Sequence, residues 1–293
     1  MKKIKLILLI FLVLIIFGGG FFFFWTQIVS LYTKLYLELP KLEKGVGDFL
    51  MQEIEKKISI PPPLKSDKEA PESFLIADEV VKYTNAERTK SGLQPLVVNV
   101  KLGASAKLKV EDMFNNQYFG HDSPLGITIG DLVASVGYEF ISIGENLALG
   151  NFEDDIDLVE AWMESPGHRE NILNPKYKEI GVAVAKGTFE GKTTWMAVQH
   201  FGLPLSICPE PNEAIKTEIE TNKVQLKDTE DELGNLLNEL EDMRKRDPEY
   251  NQKIQEYNNL VSEYNETVGQ IKSLIDKYNN QVKSYNICLE ANQ

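Results

Sequence analysis

Two long runs near the C-terminus repeat apolar positions in alternating steps of four and three, which commits that third of the chain to helices packing side by side. The first steps through Ile215, Ile219, Asn222, Leu226, Thr229, Leu233, Leu236, Leu240 and Met243. The second runs from Tyr250 through Ile254, Tyr257, Tyr264, Ile271 and Tyr278 to Leu289. Asp247-Pro248 lies between them, and proline suits a helix start but not a helix interior. The pattern predicts an antiparallel coiled-coil hairpin over residues 207–293. Folding at Pro248 sets Leu240 opposite Tyr257, Leu226 opposite Ile271 and Ile219 opposite Tyr278, and it brings Cys208 level with Cys288. A Cys208–Cys288 disulfide at the open base is the expectation in an oxidising exterior. Two free thiols are the alternative, because connectivity is not fixed by sequence.

The other end carries Lys2, Lys3 and Lys5, then an apolar run from Ile4 to Trp25 broken only by that last lysine and Gly18, Gly19 and Gly20. Such a run spans a hydrocarbon core of roughly 30 Å, and lysines ahead of it stay cytoplasmic. The expectation is a single-pass cell-membrane protein with a cytoplasmic N-terminus and an extracytoplasmic body. A cleaved signal peptide is the rival, but the run exceeds the usual apolar core and no small-x-small cleavage site follows. Segments follow in order: 1–25, cytoplasmic lysines and transmembrane anchor; 26–60, a membrane-proximal helical stalk; 61–73, a stiff Pro-rich linker opened by Pro61-Pro62-Pro63; 74–206, a central domain; and the hairpin. The net charge of -13 argues against nucleic acid as a partner, since phosphate binding needs a basic face.

Within residues 74–206, helical spacing covers Phe74–Ser91, Leu102–Tyr118 and Ile156–Glu164, and β-rich runs at 181–185 and 193–201 flank a Glu190-Gly191 turn. Helices followed by a hairpin predict an α+β domain. Its densest chemistry lies in three phrases: Phe119-Gly120-His121-Asp122-Ser123-Pro124, Gly144-Glu145-Asn146-Leu147-Ala148 read as a turn, and Trp162 to Leu173 with Ser165-Pro166-Gly167-His168. By spacing alone His121, Glu145 and His168 carry no built-in geometry, and simple hydrogen bonding near a surface explains the histidines equally. Ser165 invites a nucleophile reading with His168 as base, but its flanks are not a Gly-x-Ser-x-Gly elbow. Serine, proline and glycine there also suit a helix end. His200 reads as a sheet-surface residue.

These phrases, with Asn85-Ala86-Glu87-Arg88, Gly92-Leu93-Gln94-Pro95-Leu96 and Ile180-Gly181-Val182-Ala183-Val184, occur in an order that resembles the CAP superfamily (cysteine-rich secretory proteins, antigen 5, pathogenesis-related 1), in its bacterial SCP-like branch. The resemblance covers Phe74 to Ser206. It implies a three-layer α-β-α sandwich with a cavity lined by His121, Glu145, Ser165, His168 and Gln199. It also implies that His121, His168 and Glu145 hold a divalent cation such as zinc. Ser165 stands where many eukaryotic members carry a second acid.

The function expected is a non-enzymatic, membrane-anchored binding module for a lipid-like or cell-envelope ligand, with residues 209–293 as a rod for an envelope protein. The alternative is an envelope hydrolase, peptidase-like, in which His121, Glu145 and His168 activate water.

Overall fold

The computed structural model describes residues 56–68, 70, 72–244 and 246–292. The expected anchor at 4–25 and nearly all of the expected stalk lie outside the described residues. Among those described, no helix is long and apolar enough to cross a membrane. The chain divides into two compact units; in described residues, one holds 56–210 with 283–292 and the other holds 211–282.

The first unit is built on a mixed sheet whose strands run in the order β1-β4-β6-β5-β3, with β2 also paired to β4. The strands are β1 (Lys57–Ser59), β2 (Leu64–Lys65), β3 (Val97–Val98), β4 (Phe140–Leu149), β5 (Glu179–Phe189) and β6 (Lys192–Pro204). The central three are antiparallel, while β1 and β2 run parallel to β4 and β3 runs parallel to β5. Helices α1 (Ala77–Lys90), α2 (Val100–Asn115), α3 (Ile129–Ser135), α4 (Asp155–Glu164) and α5 (Pro166–Ile172) cover the sheet.

Strand alternation assigns the faces. Ala148, Trp195, Ala197 and Phe201 pack with Val80 of α1, Leu158 and Trp162 of α4 and Ile172 of α5. Their neighbours Leu147, Leu149, Met196 and Val198 pack with Ala106, Val110 and Met113 of α2 on the other face. Leu102, Ile129, Val133 and Ile143 continue that second core beneath α3. The α+β expectation therefore holds, with helices on both faces of the sheet.

Local chemistry sets the helix starts. The Asn99 side chain accepts from the amides of Lys101 and Leu102 to cap α2. Thr128 and Asp131 form a reciprocal capping box on α3. Helix α1 places Asp78 and Glu79 in its first turn and Arg88 and Lys90 in its last, complementing its dipole. Arg88 is buried and donates to the carbonyls of Gln94, Ile172 and Asn174, so it ties α1 to the chain leaving α5.

Two readings of the sequence need correction. The Gly-Glu-Asn phrase is not a turn: it lies in β4, buried at all ten positions. Its glycine marks a close approach instead, since a Cβ on Gly144 would fall 2.5 Å from Tyr177 Oη. The domain also starts before Phe74, because part of the expected stalk and linker forms β1 and β2 on the β4 edge.

A second close approach carries a prediction. A Cβ on Gly181 in β5 would sit 2.1 Å from the Gly103 amide nitrogen and 2.1 Å from the Leu102 carbonyl carbon, both helix backbone. Gly181→Ala must push α2 off the sheet, and overpacking of this kind costs about 1–3 kcal/mol or more. Urea unfolding should show that loss; a change below about 0.5 kcal/mol, the range of neutral surface substitutions, would contradict it.

In the second unit, α6 (Glu213–Asp242) and the part of α7 (Tyr250–Asn292) up to Val282 run antiparallel on either side of the expected break. Glu213 near the base accepts from Tyr278 Oη at 3.0 Å, and Glu239 near the tip accepts from Lys253 Nζ at 2.6 Å. Ile215, Ile219 and Leu226 share a core with Tyr264, Ile271, Ile275 and Tyr278. The Cys208–Cys288 disulfide is present, within the first unit, with its Cα atoms 5.6 Å apart.

Candidate functional site

Strand β4 supplies two adjacent polar side chains, and the pleat sends them to opposite faces. Glu145 points toward α2. His121, from the loop after α2, places Nδ1 2.6 Å from Glu145 Oε1. His200, paired across the sheet on β6, places Nε2 2.8 Å from Glu145 Oε2. Ser105 Oγ lies 2.7 Å from His200 Nδ1 and fixes that ring from behind. Lys109, fully buried on α2, donates to the His121 carbonyl and to Tyr118 Oη, whose hydroxyl in turn donates to Asp112.

The charges in this cluster support one another. Burial pushes the Glu145 carboxyl up, but hydrogen bonds from His121 and His200 and the charge of Lys109 outweigh it and hold the group at about 2. Burial pushes the Lys109 ammonium down, against the pull of Glu145, Asp112 and Asp122. The other nitrogen of His121, Nε2, lies 2.5 Å from the Pro61 carbonyl. A carboxylate and a carbonyl both only accept, so His121 donates from both nitrogens.

Asn146 points to the opposite face. Its amide donates to Gln199 Oε1 at 3.1 Å and to the His168 carbonyl at 3.2 Å, and Gln199 donates to Thr84 Oγ1 at 2.7 Å. Asn171 of α5 spans the β1–β4 seam, donating to the Ser59 and Glu145 carbonyls, each at 3.3 Å. Ser165 ends α4 and begins α5 with Pro166 in its first turn, and its hydroxyl makes no capping bond. It lies instead 2.7 Å from His168 Nδ1. His168 Nε2 is buried without a partner among the described residues. Burial, then the nearby His121, pushes the His168 imidazole down to about 4, so it is neutral at neutral pH.

That shift sets a pH dependence. The unfolded imidazole takes up a proton near 6.5 and the folded one only near 4, so the unfolded state binds more protons between those values. Stability is full above pH 6.5 and falls as pH drops toward 4, by about 3 kcal/mol. Denaturant titrations at pH 7 and pH 4 should show this extra loss in the wild type and not in His168→Gln. An equal loss in both proteins would contradict it.

The structure thus joins His121 to Glu145 directly, and Pro61 lies between His121 and the start of α5. A Cβ on Gly167, the residue before His168, would fall 2.6 Å from Pro61 Cβ. Gln199 lies on the Asn146 face, away from Glu145. His200 is a correction: it is fully buried and holds one oxygen of Glu145. The alternation along β6 carries the signal, because Met196 and Val198 face α2 and His200 follows them at the same spacing. Lys109 and Ser105 fall within the helical spacing of Leu102–Tyr118, which carries no sign of their place beside Glu145 and His200.

The cation implied by the family resemblance needs several free lone pairs. Both Glu145 oxygens accept from histidines and both His121 nitrogens donate, which leaves His168 Nε2 as the uncommitted ring nitrogen of that trio. Among the described residues no three His, Cys, Asp or Glu side chains are grouped to hold a metal. As arranged, the donor set does not fit a cation.

Residues 81–201, which hold the central strands, their covering helices and the His–Glu cluster on β4, match the CAP family, described as the Cysteine-rich secretory protein family. That domain, and not the remainder of the chain, is of the CAP type, and the relatives it matches are bacterial. It is 43% identical over 117 residues to "Uncharacterized protein YkwD" of Bacillus subtilis, covering 40% of this chain and 44% of that protein. It is 35% identical over 106 residues to "Uncharacterized membrane protein YlbC" of the same organism, covering 36% and 30%. Among solved structures it resembles an extracellular protein containing a SCP domain from Bacillus anthracis, at 29% identity, 43% and 39% coverage and a TM-score of 0.37. The chain spans less than half the length of each of these relatives.

Proposed function

We propose that this protein is a non-enzymatic binding module, tethered to the membrane through residues 4–25 and holding its CAP domain outside the cell for a cell-envelope ligand. One observation carries the reading. Each acid–base group of the Glu145 cluster is already engaged, with Glu145 between two histidines and His121 between Glu145 and a peptide carbonyl. No group there is free to take a proton from water, while the same cluster presents a donor that holds a ligand-like carbonyl. The lysine-led apolar run supports the tether, and the Cys208–Cys288 disulfide suits an oxidising exterior. The antiparallel hairpin is the surface proposed for an envelope partner.

A hydrolase is the second reading, favoured by the Ser165–His168 hydrogen bond beside a ring nitrogen that has no partner among the described residues. A nucleophile also needs its base oriented by a third group, and none touches His168 Nε2 among the described residues. Incubating the full chain, purified in detergent micelles, with cell-wall peptides and following them by mass spectrometry separates the readings. The binding reading expects intact peptides. Cleavage that disappears in Ser165→Ala would establish the hydrolase.

A further inference from the structure

Residues 57–65 form a strap along β4. Its first part pairs Ser59 with Gly144 and its second pairs Leu64 with Ala148, so four strap residues cross three residues of β4. The crossing holds Pro61-Pro62-Pro63, which have no amide hydrogen and cannot donate to the strand. Contact there runs through carbonyls instead. Pro61 gives its carbonyl to His121 Nε2, and Ser59 gives its carbonyl to Asn171. Pro61 is buried and its ring abuts Gly167, where no Cβ fits. The Ser66 amide then donates to the Leu149 carbonyl at 2.9 Å.

Elsewhere in the strap Leu64 packs against the core that holds Phe152 and Trp162, and Lys65 Nζ lies 5.8 Å from the centre of the Phe119 ring. Ile58 and Ile60 are 45% and 44% exposed, and Pro62 and Lys65 are exposed too. The site therefore reads one carbonyl, one proline ring, an apolar side chain at the Leu64 position and a parallel main chain, and leaves the Ile58, Ile60 and Pro62 positions to solvent. This is recognition by strand addition to a sheet edge, with the Pro61 ring as its most buried anchor. Two ladders of three and two residues, interrupted by prolines, make a weakly held strand.

We propose that the β4 edge between His121 and Gly167 is a binding site for an extended peptide with proline at the Pro61 position, and that residues 57–65 are its resident, displaceable occupant. The proposal rests on the binding reading above and names its ligand class. The strap competes with any such peptide, so the site opens only when a partner displaces it.

The probe is a fluorescein-labelled peptide spanning Lys56–Ser66, titrated by anisotropy into the full chain in micelles. Replacing residues 57–65 by a Gly-Ser stretch of equal length should empty the edge, and the peptide should then bind saturably, at least tenfold tighter than to the wild type. Adding Gly167→Ala should weaken that binding tenfold or more, since the new Cβ fills the space of the proline ring. A strap-replaced chain that still melts cooperatively by circular dichroism but gives no saturable binding overturns the proposal. So does binding that Gly167→Ala leaves unchanged.

Should the strap-replaced chain not fold, excess unlabelled peptide added to the wild type should speed deuterium exchange in residues 57–65, and unchanged exchange overturns the proposal. Uptake of phosphatidylglycerol vesicles without peptide binding would overturn the peptide ligand and leave the binding module standing. Cleavage of the peptide would instead overturn the binding reading itself.

Discussion

Glu145→Gln should destabilise the first unit by about 3–5 kcal/mol, the cost of leaving a buried charge without its partner. The carboxylate accepts from His121 on one oxygen and from His200 on the other, beside the buried ammonium of Lys109. A glutamine keeps one acceptor oxygen, replaces the other with a donor and removes the negative charge that faces the buried Lys109 ammonium. Against a typical total of about 5–15 kcal/mol, the loss should be plain in urea titrations at pH 7. The pH dependence gives an independent check. A carboxyl held at about 2 against 4.5 when unfolded contributes stability that is full above pH 4.5 and is lost as pH falls toward 2. That amounts to about 3 kcal/mol, and Glu145→Gln should abolish this part of the acid response. A variant within about 1 kcal/mol of wild type at pH 7 would show that the cluster does not hold the charge described.

The second large effect concerns the disulfide. Cys208 and Cys288 close a sequence separation of 80 residues, and a cross-link over a loop of that length typically contributes about 2–4 kcal/mol. Cys208→Ser with Cys288→Ser should lower the urea midpoint accordingly, and wild type in reducing agent should match the double variant. The hairpin inside the loop has its own core, from Ile215 and Ile219 against Tyr278 and Val282. Its helical signal should therefore outlast the loss of the cross-link. Equal midpoints with and without the bond would contradict the prediction.

These effects also show what was legible from residues alone. The hairpin was readable because a four-three repeat leaves few alternatives, and the same repeat placed Cys208 level with Cys288. The β5–β6 pair was readable from β-rich runs around Glu190-Gly191. Strand β4 was not: buried on both faces, Phe140–Leu149 has no alternation to betray it, and Gly144-Glu145-Asn146 carries turn chemistry. The glycine there makes room for Tyr177, a contact with no local signature.

The candidate site was half visible. Its motifs supplied His121, Glu145 and His168, but His200 and Lys109 reach Glu145 only through strand pairing and helix packing. The strap was hidden for a different reason. Three prolines read as a spacer because they cannot donate to a ladder, yet their carbonyls remain acceptors, and His121 takes one of them.

The most direct measurement is peptide-resolved amide exchange of the intact chain and of Gly167→Ala. With the strap docked, Ser66, which donates to Leu149, and Leu64, whose amide faces β4 two residues earlier in the parallel ladder, should exchange slowly in the wild type. In Gly167→Ala they should exchange at close to unprotected rates, while β5 and β6 keep their protection. Strap amides that are already unprotected in the wild type, or equally slow in both proteins, would contradict the account.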